Sequence, residues 1–195
     1  FINPPPRKLV LGIFKYKTTE GGGVPTDEDI FRIITHGLPG TAMPAWGDSL
    51  SREDKLDIIE YVKSFAEEEF KELRTEAIDF SGEVPYSPES IAKGRKLFLE
   101  GNRCSECHGF EGRGDGIKSF NDDVSFKRLW PRNLTQPWTF RGGSTVRDIY
   151  TRITVGIQGT PMQSFASGPK ALKNEDRWHI ANYVVSIADR RKETK

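Results

Sequence analysis

Two thiols and an imidazole stand together in the segment Cys104-Ser105-Glu106-Cys107-His108. Two cysteines separated by two residues and followed directly by histidine form the attachment pattern of a c-type haem. In that chemistry each thiol adds to one vinyl group of the porphyrin, and the adjacent histidine becomes the proximal ligand of the iron. The segment therefore predicts a haem c attached through Cys104 and Cys107, with His108 as its proximal ligand.

Other uses of the two thiols fit the sequence less well. A thioredoxin-like pair is expected in a βαβ context, which the sequence pattern does not show. A zinc site needs two further soft ligands near the pair, but the chain contains only two cysteines. A disulfide between Cys104 and Cys107 would leave His108 without a role. Haem attachment is the interpretation that uses all three side chains.

Composition and charge narrow the class of protein. The chain has 195 residues, of which 29% are charged and 35% hydrophobic, and no apolar run is long enough to cross a membrane. Its net charge of +1 gives no case for nucleic acid as a partner. The first 80 residues are net acidic and the remainder net basic, an asymmetry that can orient a partner at encounter. Because c-type haem is normally attached outside the cytoplasm, we expect a periplasmic or otherwise extracytoplasmic location, with a signal peptide removed upstream.

The chain contains an internal repeat. Thr26 to Met43 reads TDEDIFRIITHGLPGTAM, and Thr145 to Met162 reads TVRDIYTRITVGIQGTPM. Each segment ends at one of the only two methionines in the chain. Similar short sequences flank both segments, including Pro6-Arg7-Lys8-Leu9 and Pro131-Arg132-Asn133-Leu134. Repetition of this kind indicates two copies of one structural unit, which we place at residues 1–80 and 81–195.

Each copy of the repeat predicts a capped helix, a loop that delivers the methionine, and a second helix. A threonine begins the first helix, with an aspartate at the third helical position, and a glycine ends it. The residues in these roles, with the cap of the second helix last, are Thr26, Asp29, Gly37 and Ser51 in the first copy and Thr145, Asp148, Gly156 and Asn174 in the second. In the second unit Ser87-Pro88 opens an additional helix, which carries Gly94 and leads to the haem motif.

Residues 87–188 resemble a complete class I cytochrome c domain. The resemblance rests on elements in a fixed order, namely a helix with Gly94 and Phe98, the Cys104–His108 motif, Pro131-Arg132-Asn133-Leu134, Gly159-Thr160-Pro161-Met162, and a last helix with Trp178 and Tyr183. That family packs its first and last helices across each other, and Gly94 would allow the close approach. The resemblance implies an all-α fold of two tandem cytochrome c-like domains, with long irregular loops around haem.

Residues 1–80 resemble only the second half of such a domain, the half that carries the methionine. They include Arg7 and Met43 but no Cys-x-x-Cys-His. Three explanations stay open: the missing half lies upstream, it comes from another chain, or this unit has lost its haem. Repeat logic favours the first explanation, because the apolar faces of a half domain would otherwise be uncovered. A second haem is thus expected if an upstream Cys-x-x-Cys-His or a partner segment exists.

Several other residues are candidates for the haem site. Met162 is the expected distal ligand, by the Met/His pattern of cytochromes c, although a methionine is also an ordinary core residue. Met43 would be the corresponding ligand of a first haem. His36 could coordinate iron if Met43 does not, although a lone histidine beside a helix-ending glycine is more often a surface or capping group. Arg132, and Arg7 in the first unit, could pair with haem propionates or remain solvated. Trp130, Trp138 and Phe165 are expected to line the haem pocket, and His179 is expected to be exposed on the last helix.

Histidine and methionine together complete the coordination of haem iron, which leaves no position for a substrate and disfavours chemistry on peroxide or oxygen. The sequence therefore predicts an electron carrier without catalytic residues, dihaem when intact, that exchanges electrons with donor and acceptor redox proteins. The alternative is an electron-transfer subunit or module of a larger, membrane-associated respiratory dehydrogenase or reductase complex. A haem enzyme or sensor would need Met162 to be displaceable. Fold alone does not choose among these.

Overall fold

The computed structural model describes residues 8–74, 76–102, 104–118, 120–123 and 126–189. This part of the chain is mostly helical, as the sequence predicts. It contains seven α-helices and one short antiparallel hairpin, whose strands pair Phe120 with Leu129. The helices are α1 (Asp27–His36), α2 (Arg52–Ser64), α3 (Glu67–Glu72), α4 (Pro88–Leu99), α5 (Ser105–His108), α6 (Val146–Val155) and α7 (Asn174–Asp189), and the strands are β1 (Phe120–Asn121) and β2 (Arg128–Leu129). Single 3-10 turns lie at Leu9–Leu11, Glu100–Asn102 and Pro137–Thr139.

Helices α1 and α6 begin with the same reciprocal cap. The hydroxyl of Thr26 accepts a hydrogen bond from the amide of Asp29, and the carboxylate of Asp29 accepts one from the amide of Thr26, both at 3.1 Å. Thr145 and Asp148 form the same pair at 3.2 and 3.1 Å. Each pair satisfies amide groups that the first helical turn leaves free. The predicted starts of both helices are therefore confirmed.

The two methionine loops that follow these helices share one hydrogen-bond pattern. In the first loop the amide of Leu38 donates to the carbonyl of Met43 at 3.0 Å, and the amide of Met43 donates to the hydroxyl of Thr41 at 3.1 Å. In the loop of Met162 the same two bonds measure 2.8 and 3.2 Å. The repeat found in the sequence is therefore a repeat of structure.

A glycine is required where each helix meets its methionine loop. Gly37 and Gly156 have φ angles of 66° and 72°, in the region that favours glycine. A Cβ atom at either position would lie 2.6 Å from the backbone oxygen of the methionine, Met43 or Met162. The loop can therefore fold back against its helix only because these residues have no side chain.

The apolar side chains form two separate clusters. The smaller one lies between α1 and α2 and has Ile30, Ile34 and Ile59 as its buried members. The larger one joins α4, α6 and α7 and surrounds Trp178, which is fully buried and stacks on Tyr150 with ring centroids 3.8 Å apart. Residues on either side of the expected boundary at 80/81, such as Phe80 and Val84, contact the larger cluster. The boundary itself stays a prediction.

Helices α4 and α7 cross at Gly94. A Cβ atom there would lie 1.9 Å from the carbonyl oxygen of His179 and 2.9 Å from Cβ of Tyr183. The crossing brings Phe98 and Tyr183 edge to face, with ring centroids 5.3 Å apart. The close approach anticipated for Gly94 is thus present.

Two expectations for helix α7 are wrong. His179 is only 6% exposed, because α4 covers it, and its Nδ1 atom shares a hydrogen bond of 2.8 Å with the hydroxyl of Ser90. Asn174 does not cap the helix in the expected way. Its side chain accepts from the hydroxyl of Tyr150 at 2.7 Å and donates to the carbonyl of Ser81 at 3.0 Å, so it joins α7 to α6 and to the preceding segment.

Candidate functional site

The two thiols and His108 lie on one short helical turn. The amide of His108 donates to the carbonyl of Cys104 at 2.9 Å, and Gly109 ends the turn with its amide bonded to Ser105 at 2.8 Å. The turn places Cys104, Cys107 and His108 within five consecutive residues of ordered backbone, as the sequence predicts. All three side chains are half-buried.

A hydrogen bond fixes the orientation of the His108 ring. Its Nδ1 atom lies 2.9 Å from the backbone carbonyl of Arg132. A carbonyl only accepts hydrogen bonds, so Nδ1 carries the proton and Nε2 keeps a free lone pair. Burial lowers the pKa of His108, which favours the neutral ring. A neutral imidazole with one nitrogen bonded to a carbonyl and the other free is the form that binds a metal.

Glycines hold the Arg132 carbonyl in place. Gly114 donates from its amide to the carbonyl of His108 at 2.8 Å, and Leu134 donates to the carbonyl of Gly112 at 2.6 Å. A Cβ atom on Gly114 would lie only 2.5 Å from the carbonyl oxygen of Pro131. The glycine-rich loop thus serves to bring the backbone around Arg132 against the histidine.

The thiols do not have the character of a redox pair. Neither forms a disulfide in the structure, and burial raises the pKa of Cys107 above its ordinary value. Reactive Cys-x-x-Cys pairs owe their activity to a lowered thiol pKa. Within the described residues no three His, Cys, Asp or Glu side chains form a metal-binding group. These observations fit thiols that serve as covalent anchors.

Met162 and Phe165 lie at the same core as the thiol segment. Phe165 is 5% exposed and belongs to the larger apolar cluster, and Met162 and Cys104 are both half-buried against that cluster. The amide of Phe165 donates to the carbonyl of Ile153 at 3.0 Å, which fixes the end of the methionine loop on α6. The structure therefore gathers the thioether, a thiol and one predicted pocket aromatic at a single core.

A second cation beside Arg132 escaped the sequence reasoning. Burial and the neighbouring Arg141 guanidinium both lower the pKa of Arg132. The Nε atom of Arg141 is buried and has no hydrogen-bond partner among the described residues. A buried donor without an acceptor is costly, and two adjacent guanidinium groups suit carboxylates. The Phe140-Arg141-Gly142-Gly143 sequence would have drawn attention only to its glycines.

These features fit a haem c. Two half-buried thiols could attach the vinyl groups of such a haem, and an imidazole with a free Nε2 atom and a thioether could ligate its iron. The unsatisfied Arg141 Nε atom, together with Arg132, suits the propionate groups. Cys104, Cys107 and His108 would anchor the group, with Met162 as the further candidate ligand.

The remaining candidates are more scattered. Trp130 is 70% exposed, and the guanidinium carbon of Arg128 lies 4.4 Å from the centroid of its ring. Trp138 is 57% exposed and lies on the Pro137–Thr139 turn. In the first unit Met43 is half-buried, and His36 is exposed at the end of α1. The expectation for Arg7 lies outside the described residues.

Comparison with known proteins identifies the family. The family model "Cytochrome c" matches residues 91–188, and the model "Cytochrome C oxidase, cbb3-type, subunit III" matches residues 14–62. A chain of the Kuenenia stuttgartiensis reducing HAO-like protein complex is 37% identical, with a TM-score of 0.84 over 95% of this chain and 83% of that one. No curated sequence is significantly similar.

The two family models fall on the two copies of the internal repeat. The model "Cytochrome c" matches the second copy, from within α4 to within α7. Cytochrome c domains carry covalently bound haem c and transfer electrons. Throughout the described ranges, no helix has the length and apolar character needed to cross a membrane. The chain belongs to the cytochrome c family.

Proposed function

We propose that this protein carries electrons between a donor and an acceptor redox protein outside the cytoplasm, through a haem ligated by His108 and Met162. One observation above all supports the proposal: the His108 ring donates from Nδ1 to the Arg132 carbonyl at 2.9 Å, so its Nε2 atom is free. When bound, haem c supplies a one-electron couple at its iron. The chain orients the imidazole, brings the thioether to the same core and offers guanidinium groups to the propionates.

The closed ligand set explains why electron transfer is favoured over catalysis. His108 and Met162 would both hold the iron, so the chain would leave no exchangeable ligand position for a substrate. A thioether ligand raises the reduction potential relative to other axial sets. Met162 packs against the larger cluster, to which Phe165 belongs, so part of its side chain is shielded from water.

We further propose that the first unit holds a second haem, with Met43 as ligand, when its missing half is present. The first methionine loop has the same hydrogen bonds as the second. The surfaces around it differ, since Trp46 and Tyr61 are 41% and 65% exposed, whereas the equivalent Phe165 and Tyr183 are 5% and 2% exposed. In the second unit α4 covers Tyr183. A helix with a Cys-x-x-Cys-His motif would cover the first unit in the same way.

The haem count and the axial ligand can be tested on the same material. The chain is produced with cytochrome c maturation, and its intact mass and pyridine haemochrome spectrum give haems per chain. For residues 1–195 we expect one haem, and for a protein with the missing half we expect two. Met162→Leu should abolish the near-infrared sulfur-to-iron charge-transfer band of the 195-residue protein and admit carbon monoxide to the reduced iron. Met43→Leu is the matched control and should change neither property.

A haem-loaded wild-type protein that lacks the charge-transfer band and binds carbon monoxide readily would refute His/Met ligation. It would favour a haem enzyme or sensor. A protein that takes up no covalent haem, although Cys104 and Cys107 are intact, would refute the proposal as a whole.

A second candidate function is that of an electron-transfer subunit in a larger complex. The similarity to a chain of a reducing HAO-like protein complex supports this candidate, because that structure is of an assembly. Native mass spectrometry of the protein isolated from its own source would test it. A stable hetero-complex supports the subunit role, and a haem-loaded monomer supports the free carrier.

A further inference from the structure

An irregular segment of the first unit, residues 13–19, crosses onto the second unit; we name it the strap. The backbone amide of Phe14 donates to the side-chain oxygen of Gln158 at 3.3 Å. The Lys15 ammonium forms an ion pair with the Asp122 carboxylate, whose side chains are 16% and 4% exposed. The guanidinium of Arg152 donates to the carbonyls of Lys15 at 3.1 Å and Lys17 at 2.6 Å.

Two of these contacts converge on the Met162 loop, residues 157–163. Gln158 belongs to the loop, so its bond to the strap is direct. Asp122 acts through its neighbour, because the amide of Asp123 donates to the carbonyl of Gly159 at 3.3 Å. The hairpin that carries both aspartates therefore lies between the strap and the loop, and it is bonded to both.

The Met43 loop provides an internal comparison. It has the same hydrogen bonds within the loop, as described above, so its own geometry needs no strap. Its residues equivalent to Gln158 and Gly159 are Pro39 and Gly40, which are exposed. Among the described residues, no hydrogen bond joins Pro39 or Gly40 to a segment outside their loop. The outer tethers are thus particular to the Met162 loop.

We propose that the strap holds the Met162 loop closed, with Gln158 and the Lys15–Asp122 ion pair as its positioning residues. This inference rests on the proposed role of Met162 as haem ligand. Loss of either tether lets the loop open more often, so the methionine leaves its place more often. The first unit thereby controls how firmly the second unit keeps its distal ligand.

Contacts with Arg152 and Gly142 fix the position of the strap, and a strap fixed in this way can hold the Met162 loop. Arg152 donates to two strap carbonyls and lies 5.8 Å from the centroid of the Tyr16 ring. Tyr16 in turn lies against Gly142, where an added Cβ atom would be 3.2 Å from the ring. These contacts fix the strap at Lys15, Tyr16 and Lys17, so its contacts with Gln158 and Asp122 act from a rigid base.

Hydrogen exchange of the loop amides tests the tethers, and its result does not depend on which residue ligates the iron. The amide of Ile157 donates within the loop at 2.8 Å and that of Met162 at 3.2 Å, so each exchanges when the loop opens. Gln158→Leu should accelerate both by roughly twofold to tenfold, the factor expected for one lost hydrogen bond. Lys15→Met should accelerate them at least as much, because it removes the ammonium charge that faces the buried Asp122 carboxylate.

Two variants serve as controls. Gln158→Glu keeps an acceptor oxygen for the Phe14 amide and should exchange nearly as the wild type does. Pro39→Ala changes the equivalent position of the untethered loop and should leave exchange at Ile157 unchanged. Unaltered exchange in both Gln158→Leu and Lys15→Met would overturn the proposal, and so would equal acceleration in Pro39→Ala.

Imidazole binding to the oxidised, haem-loaded protein links the tethers to ligation. The apparent affinity for imidazole should rise in Gln158→Leu by the same factor as the exchange rate, because imidazole binds only while the Met162 loop is open. A different outcome would separate the two proposals. In Gln158→Leu, exchange would accelerate while imidazole affinity stayed constant, and Met162→Leu would keep the charge-transfer band. The strap would then hold the loop, but Met162 would not be the ligand. That result would refute the proposed ligation and not the tether.

Discussion

The crossing of α4 and α7 predicts a large effect for one added methyl group. In Gly94→Ala the new Cβ atom would lie 1.9 Å from the His179 carbonyl oxygen. Ordinary contacts exceed 3 Å, so the helices must separate by about 1 Å. Forced overpacking costs about 1–3 kcal/mol, and disturbance of the Phe98–Tyr183 ring contact costs about 1 kcal/mol more.

Helix propensity acts in the opposite direction. Alanine is about 1 kcal/mol more favourable than glycine inside a helix. The obstacle at Gly94 is backbone, which cannot rotate away as a side chain can, so the upper part of the overpacking range applies. We therefore expect a net loss of about 2–3 kcal/mol in the free energy of unfolding, and a melting temperature lower by about 5–10 °C for a chain of this length.

Urea and thermal unfolding followed by far-ultraviolet circular dichroism would measure this loss. Gly22→Ala is a suitable control, because a Cβ atom at Gly22 meets nothing within 4 Å, and its stability should change by no more than about 0.5 kcal/mol. If Gly94→Ala were as stable as the wild type, or more stable, helix propensity alone would govern the site. The inference that α4 and α7 approach closely at Gly94 would then be wrong.

Three further predictions concern stability in the same urea assay. Thr145→Ala removes the cap of α6 and should cost about 1 kcal/mol, since the hydroxyl accepts from the Asp148 amide; recovery in Thr145→Ser would tie the loss to the cap. Ser90→Ala should cost about 1–3 kcal/mol, because it leaves the buried His179 and Asn182 side chains without their shared partner; a loss below 0.5 kcal/mol would contradict that reasoning. Burial lowers the pKa of Lys17 from 10.5 to about 8, so between these pH values the unfolded chain binds more protons than the folded one. The free energy of unfolding should therefore rise with pH across that window, by about 3 kcal/mol at most, and Lys17→Met should abolish the rise.

The sequence allowed good predictions wherever structure depends on neighbours along the chain. The caps at Thr26 and Thr145, the glycines after α1 and α6, and the turn that carries Cys104, Cys107 and His108 are all local. Each follows from hydrogen bonds over three or four residues or from the conformational freedom of glycine. A repeat inside the chain strengthened these predictions, since two independent segments had to satisfy the same pattern.

Prediction failed where a residue's surroundings come from distant segments. His179 has polar neighbours in sequence, but α4 covers it, so its environment depends on the Gly94 crossing. Arg141 follows an ordinary aromatic residue, and only the fold brings it beside Arg132. The strap has no marked pattern at all, and its contacts with residues more than 100 positions away are invisible to periodicity.

The differences between the two copies nevertheless contain information about that interface. Position by position, Arg152 corresponds to Ile33 and Gln158 to Pro39, and both second-unit residues are polar where the first-unit residues cannot donate or accept from a side chain. Arg152 and Gln158 are also the residues of α6 and its loop that bond to the strap. In a tandem repeat, the shared residues build the unit, whereas a polar residue found in one copy alone can serve a contact outside that unit. Arg152 and Gln158 do so, and their positions mark the surface between the copies, beside the methionine loop.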